Sequence, residues 1–408
     1  VRILYLTQYF PPEIGAPQTR IPELMRQMIE RGHEVTILTA MPNYPEGRVF
    51  SAYRGRILAV EQFESMRVVR TWIYPTLSVG FIRRTLNQIS FALSTALLGP
   101  WVVGRQDVIL AGSPPLFIAG TARLLGLVLR CPYIAVVADL WPEILIEMGL
   151  LKGRAGIGVT RALERMLYTN ALAVLTQTPG QARNVRERFP GIKTEVLSGG
   201  VDAARFGPHL RAEAIRREFG VDGACGVAFV GLHGFAQGLD VVLEAAAILA
   251  CRPDLRFVLI GGGAEKERLV LRAEAMGLRN VAFFDTVPRD RVPAILASMD
   301  IAVVTLRRGV PRATLPSKIY EAMASGLPLA VSADGELFDL VCEERIGAGA
   351  PSGDARGLAA AIESLASDAE GRAACGRRGQ ELVHARYDRP AIAARLHELL
   401  GSWLKAGS

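Results

Sequence analysis

Several short segments of this chain are apolar on consecutive rather than alternate residues: ILYL at 3–6, VILA at 108–111, YIAVV at 133–137 and IAVV at 301–304. Side chains of an extended strand point to opposite faces in turn, so such segments are covered on both faces, as in a parallel sheet. Helical patterning fills the gaps. PQTRIPELMRQMIERG lies between VRILYL and HEVTILT, and a helix is expected over about 116–129, between DVILAGS and YIAVVAD. The second half repeats the scheme: VAFVG, a helix at 238–250, LRFVLIGGG, a helix at 264–276, VAFFD, a helix at 289–297, IAVVTL, a helix at 317–325, then LPLAVSA. Alternation of this kind predicts an α/β fold with right-handed crossovers, and 408 residues suit two Rossmann-like domains better than one core. Glycine and proline cluster in GGVDAARFGP, residues 199–208, after the strand TEVLS, which places the boundary there. The expected division is 1–203, 204–380 and a last helical segment, 381–408.

Charge divides unevenly between the halves. Residues 1–200 carry 22 basic and 14 acidic side chains and residues 201–408 carry 25 and 26, so the whole net charge of +7 comes from the first half. A basic domain suits nucleic acid, anionic lipid or a phosphorylated substrate, and no nucleic-acid module is recognisable, which leaves lipid or phosphate. Cys131, Cys225, Cys251, Cys342 and Cys375 are odd in number, far apart and in no CxxC or Cys/His cluster, so they read as core residues of a reducing compartment. The opening VRILYLTQYFPPEIG lacks the pattern of a signal peptide. Residues 85–104 are uncharged and bracketed by Arg83, Arg84 and Arg105, but their Asn, Gln, Ser and Pro content favours a buried or membrane-surface helix over a span.

Ligands of open parallel sheets bind beyond the carboxyl ends of the strands, so the turns there are the candidate site: TQYFPPEIGAPQTR, ADLWPE, VGLHGFAQGLD, IGGGAEK, FDTVPRD and RRGVPRATLPSK. In LPSKIYEAMASG, residues 315–326, Ser317 is the expected N-cap and Gly326 the expected stop, with Lys318 and Glu321 on the first turns. A cation at a helix start favours an anion. The alternative is a solvated Lys318–Glu321 pair.

Taken together, LPSKIYEAMASGLP, VGLHGFAQGLD, the opening TQYFPPEIGAPQTRIPELMRQMIERGHEVTILT, DVILAGSPP, ADLWPE and VLSGGVD resemble glycosyltransferase family 4, in particular bacterial enzymes of surface-polysaccharide and O-antigen repeat-unit assembly on a lipid carrier. The resemblance implies a GT-B fold, in which two Rossmann-like domains with parallel sheets face a central cleft, the second holding a nucleotide-sugar donor and the first the acceptor. It also implies that Glu321 holds the ribose, that Lys318 and the helix end at Leu315, Pro316 and Ser317 meet the diphosphate, and that Gly231, Gly234 and Gln237 lie beside it. Gly15 would face the diphosphate from the first domain, and Val287 and Pro288 would lie near the base. The final helix would return to the first domain.

Three positions depart from the family pattern. Ala313 stands where many relatives have a sugar-binding glutamate, Gln237 where they have lysine, and Ala138 where they have histidine. Lys318 offers a substitute for the loop lysine. The implied reaction is metal-independent transfer with retention of configuration, from a UDP-linked sugar, an N-acetylated or deoxy hexosamine, to a polyprenyl-diphosphate-linked saccharide. No DxD motif occurs and no cofactor is called for. Asp139 and Glu13, on acceptor-side loops, are the candidates for binding or polarising the acceptor, and Lys318 for assisting the leaving group. The same reading places the enzyme in the cytoplasm, attached peripherally to the inner face of the plasma membrane through its basic first domain. A sugar-nucleotide 2-epimerase and a catalytically silent scaffold are the competing classes, separable by product analysis.

Overall fold

A computed structural model describes residues 1–44, 47–76 and 81–405, in two units. The first contains Val1–Gly199 and, from Arg389, the last helix; the second is Gly200–Asp388.

The first unit is built on eight strands: β1 (Arg2–Leu6), β2 (Glu34–Ala40), β3 (Leu58–Phe63), β4 (Met66–Thr71), β5 (Val108–Ser113), β6 (Tyr133–Val137), β7 (Ala173–Thr176) and β8 (Thr194–Val196), in the order β3-β4-β2-β1-β5-β6-β7-β8. Both faces are covered. Along β1, Ile3 and Tyr5 enter one core layer while Leu4 and Leu6 enter the other, which is why the strand is apolar on successive residues. The sheet is not wholly parallel, contrary to expectation, because β3 runs antiparallel to β4 with Phe63 opposite Met66. Along this edge strand Ala59 is buried while Val60 and Gln62 are exposed, and its apolar run of Leu58, Ala59 and Val60 does not disclose the direction in which the strand pairs.

Six strands form the second unit: β9 (Cys225–Val230), β10 (Leu255–Ile260), β11 (Val281–Phe284), β12 (Ile301–Thr305), β13 (Leu329–Ser332) and β14 (Gly347–Ala350). All are parallel, in the order β11-β10-β9-β12-β13-β14. Along β12, Ala302 and Val304 face one layer and Ile301 and Val303 the other. Truncating a branched side chain here to Ala costs about 2–5 kcal/mol.

The second unit extends to Asp388 rather than 380, since Leu382, Val383 and Tyr387 pack into its core and the Asp388 carboxylate accepts from the Ala203 N–H at 3.1 Å. The last helix, Arg389–Lys405, lies in the first unit, where Ile392, Ala393, Leu396, Leu399, Leu400 and Trp403 join the β1 core; residues 406–408 fall outside the described residues. Its first side chain, buried Arg389, pairs with buried Glu23 at 3.2 Å. Cys131 is buried as expected, whereas Cys251 and Cys342 are exposed, Cys342 on the helix Glu336–Glu343 whose buried residues are Leu337 and Val341. No helix among the described residues is long and apolar enough to cross a membrane.

Candidate donor site

In the second unit β9 leads leftward to β10 and β11 while β12 leads rightward to β13, so the chain reverses direction between β9 and β12. Such a switch point opens a crevice at the carboxyl edge. The loop after β9 (231–238) and the loop after β12 (306–317) border it. Gly231 has φ 145°, a conformation that disfavours other residues, and a Cβ there would lie 3.3 Å from Lys318 Nζ. Behind it, a Cβ on Gly261 would come within 2.0 Å of the Gly231 carbonyl oxygen, so the glycine loops after β9 and β10 lie against each other.

Lys318 is not a solvated surface residue. Its Nζ donates to Gln237 Oε1 at 2.9 Å and sits 3.8 Å from the centroid of the Phe229 ring. Burial lowers its pKa to about 7, against the opposing attraction of Glu321. Lys318 thus reaches across to the loop after β9 and meets Gln237 there. Glu321 does not pair with Lys318 through a salt bridge; its Oε1 accepts from Arg289 Nη2 at 2.5 Å. Arg289 lies one residue beyond Val287 and Pro288 in the loop after β11, and sequence reasoning named that loop without naming this residue. Val287 and Leu315 pack at the edge of the core.

The Ser317 expectation needs correction. Its backbone is already helical (φ −58°, ψ −26°) and its side chain makes no capping hydrogen bond; the helix Lys318–Ala324 is instead entered through a turn in which the Pro316 carbonyl accepts from the Ile319 N–H at 3.2 Å. Gly326 does end it, with φ 78° and its N–H donating to the Met323 carbonyl. Gly234 precedes the short 3-10 turn Phe235–Gln237.

His233, in the same loop, is fully buried between Phe229 and Phe283, and neither ring nitrogen has a hydrogen-bond partner among the described residues. Desolvation, helped by Lys266 and Lys318, lowers its pKa to about 4. A histidine in a glycine loop gives no sequence sign of such burial.

In the first unit, Asp139 follows β6 in a half-buried position, and burial raises its carboxyl above the usual range while Arg20 opposes the shift. Ala138, beside it, donates its N–H to the Ser113 carbonyl and accepts from Gln181. Glu13 is buried and holds a loop in place, since Oε1 accepts from the N–H groups of Asn43 and Tyr44 at 2.7 and 2.8 Å, and Oε2 from Gln18 at 3.4 Å. Both oxygens are engaged, so Glu13 is placed as a positioning residue rather than one that polarises an acceptor. Gly15, with extended backbone, starts the helix Ala16–Glu30, and its carbonyl accepts from Thr19. Buried Arg70, which sequence reasoning missed, supports the loop that carries Glu13 through the Pro11 carbonyl and pairs with Glu61 at 2.6 Å. Among the described residues no three His, Cys, Asp or Glu side chains are grouped to hold a metal ion.

Comparison with known proteins matches both units. The Glycosyl transferase 4-like domain matches residues 15–200, and Glycosyl transferases group 1 matches residues 213–382. The chain is 29% identical to WcaI of Escherichia coli, a glycosyl transferase named for colanic acid biosynthesis, over 82% of this chain and 84% of that one. It is 26% identical to a GDP-mannose-dependent alpha-mannosyltransferase of Mycobacterium tuberculosis, over 99% and 93%. Among solved structures, sucrose-phosphate synthase of Thermosynechococcus elongatus superposes with a TM-score of 0.78 at 18% identity, covering all of both chains. HepE of Anabaena, solved with UDP-glucose, gives 0.74 at 18% identity over 98% and 99%. With a 4-like domain in one unit, a group 1 domain in the other and the GT-B fold of these neighbours, the chain belongs to the group 1 glycosyltransferases.

Proposed function

We propose that this glycosyltransferase takes its sugar from a UDP-linked donor seated on the second unit and transfers it, with retention, to a polyprenyl-diphosphate-linked saccharide. The observation that carries the reading is Lys318 Nζ held under Gly231 at the β9–β12 switch point, a half-buried cation beside a glycine loop. Lys318 and Gln237 then face the diphosphate, Glu321 accepts from the ribose while Arg289 fixes its orientation, and Val287 and Pro288 border the base. HepE, solved with UDP-glucose, supports uridine, while the mannosyltransferase relatives named for GDP-mannose make guanosine the competing base. The sugar nucleotide brings its own leaving group, so the protein has to orient the acceptor and stabilise the departing diphosphate. Lys318 supplies that stabilisation without a metal, the leaving phosphate takes the acceptor proton, and Asp139 holds the acceptor hydroxyl. Incubation of UDP- and GDP-sugars with a polyprenyl-diphosphate saccharide in EDTA, followed by mass spectrometry, tests this. A lengthened lipid-linked glycan is expected; an epimerised nucleotide sugar, or a product formed only with added magnesium or manganese, contradicts it.

The same reading places the first unit on an anionic membrane surface. On the helix Phe81–Val102, Ile82, Leu86, Leu93, Leu97 and Trp101 are exposed at spacings of four, seven, four and four, which puts them on one face. The neighbouring helix Ile118–Leu129 exposes Leu124, Leu127 and Val128. Arg83, Arg84, Arg105, Arg123 and Arg130 are exposed on the same helices or next to them, the combination that suits the headgroup region of the cytoplasmic leaflet, where a basic residue gains about 1 kcal/mol. Flotation with vesicles containing anionic lipid should be salt-sensitive and weakened by Arg83→Glu with Arg84→Glu. Indifference to lipid charge, salt and both substitutions would favour a soluble acceptor.

A further inference from the structure

If Asp139 holds the acceptor hydroxyl, as proposed above, its aim has to be fixed by something other than a side-chain partner. Its carboxylate makes no hydrogen bond or ion pair among the described residues, and the charge that acts on it is that of Arg20. Such a side chain stays in place only if the backbone that carries it is fixed. That backbone is the loop 138–143 after β6, which turns on itself: Trp141 donates its N–H to the Asp139 carbonyl and Ile144 to the Leu140 carbonyl, each at 3.0 Å.

One helix, Pro179–Arg188, anchors this loop on both sides of Asp139. It starts at proline, behind Thr178, whose side chain accepts from the Gln181 N–H. Buried Gln181 spans two strand ends: Oε1 accepts from the Gln177 N–H after β7 at 2.9 Å, and Nε2 donates to the Ala138 carbonyl after β6 at 3.1 Å. At the far end of the helix, Arg188 Nη1 meets Glu143 Oε1 at 2.8 Å. The same guanidinium donates to both oxygens of fully buried Glu164, on the helix Arg154–Thr169. Two carboxylates thus share one cation. Burial raises the Glu164 carboxyl to about 7, with Arg188 opposing, so near neutrality Glu164 is in part protonated and Glu143 is the carboxylate that offsets the arginine's charge. The Arg188 and Glu143 side chains are only 28% and 17% exposed, so water and salt weaken their pair less than an exposed one.

We propose that Arg188 is a positioning residue for sugar transfer: through Glu143 it pins the loop beyond Asp139 while Gln181 pins it before, and the two anchors together keep the Asp139 carboxylate at the acceptor hydroxyl. Rate depends steeply on such placement, and a displacement of about 1 Å costs on the order of 100-fold.

Kinetics of transfer to the polyprenyl-diphosphate saccharide, with affinity for the donor's nucleoside diphosphate measured alongside by calorimetry, test this. Arg188→Gln and the milder Glu143→Gln, which leaves Arg188 paired with Glu164, should each lower kcat/KM for the acceptor by about 10- to 100-fold and leave diphosphate affinity unchanged. Asp139→Asn should lower it too. Adding either substitution to Asp139→Asn should cost less than about twofold more, because a positioning residue acts only through what it positions. Arg186→Gln removes a cation of the same helix that donates instead to the Thr194 carbonyl, and it should leave transfer unchanged. Full, independent losses in the double variants overturn the proposal by making the ion pair a support of the fold alone. So does undiminished transfer by Glu143→Gln, or an equal loss in Arg186→Gln. Undiminished transfer by Asp139→Asn removes the role of Asp139, and this inference with it, and leaves the donor site standing. No transfer by the unaltered protein overturns the proposed acceptor, and this inference with it.

Discussion

Lys318→Ala is expected to weaken UDP binding by about 10- to 100-fold, the worth of one charge-assisted contact, and to leave uridine binding nearly unchanged. Only the diphosphate presents the anion that Lys318 meets. The pH dependence adds a second signature. With its pKa lowered to about 7, the ammonium of the free protein loses its proton above neutrality, and an anion must restore it to gain the contact. UDP affinity should therefore fall as pH rises from 7 to 9, by at most about tenfold per unit, and the fall should vanish in Lys318→Ala. Folding stability moves oppositely. The unfolded state holds this proton up to about pH 10.5, so the lysine's burial penalty shrinks between pH 7 and that value. Calorimetry with UDP and uridine at pH 7, 8 and 9 checks the binding claims; equal losses for both ligands would remove the phosphate role.

His233→Leu is expected to protect the protein against acid. The folded imidazole takes up a proton near pH 4 and the unfolded one near 6.5, so the unfolded state binds more protons as pH falls between those values. Stability is then lost on that descent, by about 3 kcal/mol at the low end, a shift of one unit being worth 1.36 kcal/mol. Leucine has no proton to take up and no unpartnered nitrogens to bury, so urea unfolding at pH 7 and pH 4.5 should show a smaller loss in the variant. Identical losses would mean that the His233 ring reaches water in the folded protein.

The two predictions also mark where the sequence was legible and where it was not. Runs such as YIAVV and IAVVTL disclosed buried parallel strands because a strand with two covered faces has no reason to alternate. Gly326 disclosed a helix end because its φ of 78° is one that few other residues adopt. The hairpin of β3 and β4 went unread because the run LAV in β3 does not disclose the direction in which the strand pairs. Ser317 was misread as a cap because residue type alone does not fix its backbone, which is helical there. Lys318 and Glu321 sit at the spacing of a surface pair, yet each has a partner from a distant loop, Gln237 and Arg289. Such partners depend on which loops the sheet order brings together. The inert surroundings of His233 and the engaged oxygens of Glu13 are hidden from sequence for the same reason.

The central claim is that the β9–β12 switch point of the second unit is the donor's diphosphate site. A crystal structure of the protein with UDP bound tests it most directly. The account predicts a diphosphate oxygen about 3 Å from Lys318 Nζ, beside Gly231, with the ribose hydroxyls on Glu321 and the base near Val287 and Pro288. A diphosphate bound away from Lys318, with the Lys318–Gln237 and Glu321–Arg289 contacts undisturbed, would contradict it.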